Sequence, residues 1–81
     1  MRAKAAYRLI VTRTGRVPGV LADRVDHVEV QCLDDLEVVL FWDVPARDTA
    51  RVEAALRADL ENLARDEFLA RWSAVEDPSA R

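Results

Sequence analysis

The stretch Leu36-Glu37-Val38-Val39-Leu40-Phe41-Trp42-Asp43-Val44 decides the fold. Its unbroken apolar run from Val38 to Trp42 is rich in β-branched and aromatic side chains, which predicts a strand. Alternation puts Leu36, Val38, Leu40, Trp42 and Val44 on one face, and Val39 and Phe41 on the other between Glu37 and Asp43. With apolar residues on both sides, the segment reads as a central strand, covered by a helix on one face and at least partly on the other.

Upstream of it, Asp34-Asp35 marks a turn, because short carboxylate side chains tolerate tight backbone. Before that turn, Val28, Val30 and Cys32 alternate with His27, Glu29 and Gln31, a second strand with one apolar face. Tyr7, Leu9 and Val11 alternate with Arg8, Ile10 and Thr12 in the same way, so the first strand spans roughly residues 5 to 13. Between the first two strands, Thr14-Gly15-Arg16-Val17-Pro18-Gly19 breaks any regular element. Gly19 to Val25 then forms either a short helix, with Leu21, Val25 and Val28 four and three apart, or an extended link.

Downstream, from Pro45, the period changes to about 3.6 residues. Val52, Leu56, Leu60 and Leu63 form one stripe, predicting a long helix over residues 46 to 64 with Asp48 or Thr49 as its cap. Glu53, Arg57, Glu61 and Arg65 alternate in sign at four-residue spacing on its solvated side. Straight continuation of that helix would bury Glu67, Ala70 and Ala74 and turn Phe68 and Trp72 outward. The helix therefore either bends near residues 65 to 67, with Asp66 capping a short second helix, or runs on and offers Phe68 and Trp72 to another chain. The bend is the preferred reading.

These elements define an α+β fold of two layers, a three-stranded antiparallel sheet packed under one long C-terminal helix. If 19–25 is helical, the third strand can lie between the first and second, resembling a ferredoxin-like arrangement without its last strand. That likeness is one of topology and transfers no function. The other possibility is a plain βββα meander. Residues 1–75 then make one domain and 76–81 a frayed polar tail.

Composition narrows the function. The 81 residues are 51% hydrophobic and 33% charged, a globular balance too short for two domains. Chains near this length bury only roughly 60 to 65% of their unfolded surface, so a shared interface brings a large fractional gain. The single cysteine, Cys32, cannot form an internal disulfide, which points to a reducing cytoplasm. Arg8 and Arg13 bracket only three apolar residues, far too few for a membrane span or a signal-peptide core.

Net charge is -3, yet residues 1–24 hold six cations against Asp23, leaving -8 on the remainder. Arg8, Arg13, Arg16 and Arg24 could form a basic arm for nucleic acid, although Glu29, Asp34, Asp35, Glu37 and Asp43 stand on or beside the other strands, where phosphate would need cations. The structural alternative is that Arg8 and Arg13 are the outward positions of an amphipathic strand, paired with acidic neighbours. Arginine outnumbers lysine eleven to one, a bias that codon composition alone can produce.

Chemical motifs are sparse. His27 is the only histidine, and Ser73 and Ser79 lie at the far end of the chain, so a triad has no support in spacing. Cys32 shares the inward parity of Val28 and Val30 and reads as core. The acidic residues around the second turn lack the histidine pair, cysteine pair or calcium-loop spacing of a metal site. The 14–19 loop lacks the lysine and spacing of a phosphate loop.

No catalytic residue, cofactor or metal is assigned, and the sequence leans away from an enzyme. The leading expectation is a protein–protein interaction module, homodimeric, acting as adaptor, inhibitor or accessory subunit. It would bury Ile10, Val39 and Phe41, or the Phe68 and Trp72 region, against a second copy or another protein. Nucleic-acid binding is the second reading. The third is a small ligand-binding domain or enzyme with a cleft at the sheet–helix or subunit boundary, using His27 or Tyr7.

Overall fold

The computed structural model describes residues 1–13 and 24–80. One helical turn, α1 (Ala3–Ala6), leads into β1 (Tyr7–Thr12), β2 (Val25–Cys32) and β3 (Val38–Pro45). A 3-10 turn (Ala46–Asp48) feeds α2 (Thr49–Asn62), which is followed by α3 (Arg65–Ser73) and a 3-10 turn (Pro78–Ala80). The result is the α+β fold expected: a three-stranded antiparallel sheet packed against a long helix with shorter helices at its flanks. Of the predicted 19–25 helix, residues 19–23 lie outside the described residues, and Val25 opens β2.

The sheet order is β1-β2-β3, the plain meander. β2 is central and β3 is an edge, so the expected central place for the third strand is corrected. The two-sided apolar character of β3 has another cause. Trp42 and Val44 are buried and Leu40 half-buried beneath the helices, while Val38, Val39 and Phe41 are exposed on the other side.

Val38 was expected to share the face of Leu40, but a register shift at Val30/Gln31 sets Val38 opposite Gln31 while Leu40 stays opposite Val30. Leu36, also expected in the strand, adopts φ 62 and belongs to the turn. That turn is closed by the Leu36 N–H on the Cys32 carbonyl (2.9 Å), the Cys32 N–H on the Glu37 carbonyl (2.8 Å) and the Glu37 N–H on Asp35 Oδ1 (3.0 Å).

The α2 stripe behaves as its period dictates. Val52, Leu56 and Leu60 are buried and Leu63 is partly buried against the core, with Thr49 added at the first turn. The Thr49 hydroxyl donates to buried Asp26 at 2.7 Å, tying the helix start to β2.

The helix then breaks earlier than predicted. Leu63 (φ -99, ψ 153) and Ala64 (φ -71, ψ 158) are extended, and Ala64, rather than Asp66, occupies the cap position of α3 without a side-chain hydrogen bond. The break re-aims the following turn, so Phe68 and Trp72 enter the chain's own core with 0% and 2% exposure. Tyr7 stacks on Phe68 (5.7 Å between centroids), and Trp72 meets the other tryptophan, Trp42, edge-on at 5.7 Å. Each indole N–H is satisfied, Trp42 by the Val75 carbonyl (3.0 Å) and Trp72 by Asp59 (2.9 Å). Burial of a side chain of this size contributes roughly 1.5–3 kcal/mol.

Near the C-terminus Pro78 is buried, and the Ser79 carbonyl accepts a 2.6 Å hydrogen bond from Arg51.

Candidate functional site

The helices cover one face of the sheet and leave the other open. Antiparallel register arranges the open face in cross-strand rows: Arg8–Gln31–Val38, Ile10–Glu29–Phe41 and Thr12–His27–Asp43, with Val25–Pro45 beyond. Phe41 is 51% exposed, Val38 48% and Val39 38%, while Ile10 is half-buried between its neighbours. Leu36 (61%) and Leu33 (41%) continue exposed apolar surface into the adjoining turn. Apolar surface is thus concentrated along β3, with Ile10 across the sheet in the Phe41 row.

Polar groups frame this surface. His27 Nδ1 lies 2.7 Å from Asp43 Oδ1, directly across the strands, and the imidazole stacks on Phe41 with centroids 5.5 Å apart. Arg8 donates to Gln31 Oε1 at 2.8 Å, and Gln31 Nε2 donates to the Leu36 carbonyl at 2.8 Å. These bonds link neighbouring groups along the rows, and Phe41 is the most exposed apolar side chain of the three strands. A hydrolytic triad would need a nucleophile at the imidazole's other nitrogen. Ser73 lies at the end of α3, and the Ser79 hydroxyl donates to Asp77 at 2.6 Å, both in the helix layer across the sheet. Among the described residues no group of three His, Cys, Asp or Glu is placed to hold a metal ion.

Of the expected interaction residues, Ile10, Val39 and Phe41 are therefore brought to one face. Phe68 and Trp72 are not: they form the core beneath the opposite face, because the Leu63–Ala64 break turns them inward. Inspection of the sequence also missed Val38, whose exposure depends on the register shift, and Leu36, whose exposure depends on its turn.

Of the four arginines of the nucleic-acid reading, three lie among the described residues. Arg13 reaches Asp26 (3.7 Å) and Glu53 (3.1 Å), Arg8 holds Gln31, Arg24 is exposed at the start of β2, and Arg16 lies outside the described residues.

A cleft of about 350 Å³ lies between α1, β1 and α2, floored by Leu9 and Leu60 beside Tyr7 and rimmed by Lys4, Arg8 and Arg57. Two of its cations are already matched, Lys4 by Glu61 (3.0 Å) and Arg57 by Glu53 (2.9 Å). The Tyr7 side chain also raises the Arg65 guanidinium pKa above its ordinary value. Cys32 is a free thiol packed partly against the core. No helix among the described residues is long and apolar enough to cross a membrane.

Comparison of the chain with models of protein families, with curated proteins and with solved structures finds no match, so the functional reading rests on this geometry.

Proposed function

We propose that this chain is a non-enzymatic protein–protein interaction module, a homodimer that serves as adaptor, inhibitor or accessory subunit in a reducing cytoplasm. The observation that carries the reading is the exposure of Val38, Val39 and Phe41 together on a sheet face that the helices do not cover. Removing apolar area from water contributes roughly 25 cal/mol per Å², and a chain whose own core is this small gains much from adding to it. The free Cys32 fits a compartment in which thiols stay reduced.

Sedimentation at micromolar concentration tests the reading. The native chain sediments as a dimer, and Phe41→Asp sediments as a folded monomer. A strictly monomeric native chain whose Phe41→Asp variant is equally soluble removes it.

The ligand-binding alternative has one observation in its favour, the cleft beside Tyr7 at the sheet–helix boundary, whose volume is within the range of small-molecule sites. Its apolar floor, with Leu33 beside Leu9 and Leu60, suits a small apolar ligand, since the rim cations are already engaged. Titration of Tyr7 fluorescence with small aliphatic and aromatic alcohols checks it, in a double Trp42→Phe, Trp72→Phe background. An unchanged signal counts against it.

A further inference from the structure

The helical sequence gives no local cause for the break at Leu63–Ala64, since no glycine or proline stands between Pro45 and Pro78. What lies across the break is the segment 1–3. Arg2 forms an antiparallel bridge with Ala64. The Ala3 N–H donates to the Leu63 carbonyl and the Arg65 N–H to the Met1 carbonyl, both at 3.0 Å, and the Arg2 guanidinium donates to the Asn62 carbonyl at 3.1 Å. Ala3 is fully buried, and α1, which it opens, packs against both α2 and α3.

An unbroken α-helix would satisfy the same groups internally. The Leu63 carbonyl would accept from Glu67, the Asn62 carbonyl from Asp66, and the Arg65 N–H would donate to Glu61. Segment 1–3 therefore replaces, from outside, three bonds that the break forfeits. On either side of the break helical spacing persists, with the Leu63 N–H on Asp59 and the Phe68 N–H on Ala64, both at 2.9 Å. Exchanging hydrogen bonds of one kind is close to balanced, so packing favours the broken form: it buries Phe68 and Trp72, where the straight helix would bury Glu67, Ala70 and Ala74.

We propose that residues 1–3 are a strap that sets this break, and that its release joins α2 and α3 into one continuous helix over residues 49–73, carrying Phe68 and Trp72 out of the core. Closed and open strap are then the two states of a conformational switch. Anything that captures residues 1–3, or that binds the released aromatic pair, shifts the population toward the open form. The switch is independent of the open sheet face, and its failure leaves the interaction reading standing.

The test uses the full chain and follows the Cα chemical shifts of Leu63 and Ala64, with acrylamide quenching of tryptophan fluorescence beside them. Ala3→Pro withdraws the donor to Leu63 yet suits the first position of α1, behind an extended Arg2 (ψ 148). Arg2→Glu, at an exposed position, removes the bond to Asn62 and sets a negative charge at the carbonyl end of α2. Each change is expected to favour the open form about fivefold, the worth of one hydrogen bond. The two shifts move from extended toward helical values and quenching rises. Adding Arg65→Pro to Ala3→Pro reverses both effects, because proline is accepted at the first position of α3 and forbids a helix running through it.

Leu63 and Ala64 shifts that stay extended in Arg2→Glu and in a folded Ala3→Pro overturn the strap, and if Ala3→Pro does not fold, Arg2→Glu alone decides. Movement that Arg65→Pro fails to reverse overturns the continuous helix, since a merely loosened chain would ignore that proline.

Discussion

Leu36 is the one described non-glycine residue with positive φ, at 62°, and it is exposed in the tight turn between β2 and β3. A leucine Cβ in the left-handed region crowds the following carbonyl, at a cost of roughly 1–2 kcal/mol, part of which glycine would relieve at the expense of a more flexible unfolded chain. Leu36→Gly is expected to stabilise the fold by about 0.5–1 kcal/mol, read from urea denaturation. Thr49 makes the opposite case. Its buried hydroxyl donates to Asp26, which is only 3% exposed, so Thr49→Val keeps the shape and withdraws a donor from a buried carboxylate. A loss of about 1–3 kcal/mol is expected in the same assay. Neither residue's role was legible in the sequence. Leucine carries no signal for positive φ, and the Thr49–Asp26 bond joins positions 23 apart whose meeting depends on how α2 crosses β2. Phe41 was legible, because a period of two assigns its face without tertiary knowledge.

Elements show the same division between local pattern and assembly. The α2 stripe and the alternation of β1 and β2 were readable, since each depends only on repeat spacing. Strand order was not, because alternation assigns faces and leaves neighbours undetermined. The outer strand here is the most apolar, and the central strand β2 carries His27, Glu29 and Gln31 on its open side. The need for a bend was visible in the misfit of Phe68 and Trp72 with the α2 stripe, yet its position at Leu63–Ala64 was not, as neither residue is a customary breaker. Ala64 caps α3 with backbone alone, the Phe68 N–H meeting its carbonyl at 2.9 Å. Ala64→Ser would complete a capping box with Glu67 three residues on, and is expected to add about 0.5–1 kcal/mol to stability, measured by thermal unfolding.

For the whole molecule, both tryptophans are sealed inside, and among the described residues most of the exposed large apolar side chains lie along β3 and in the turn before it. Helices seal one side only: α2 and α3 both lie on the Trp42 side, joined through Tyr7, Phe68 and Trp72. Self-association through the remaining face would couple folding to concentration, because a partner that binds only the folded chain stabilises it by mass action. The most direct measurement is the thermal unfolding midpoint across a hundredfold range of protein concentration, about 2 decades, for the native chain and for Phe41→Asp. The account predicts a midpoint that climbs with concentration in the native chain and stays level in Phe41→Asp. A native midpoint as level as that of the variant would contradict it.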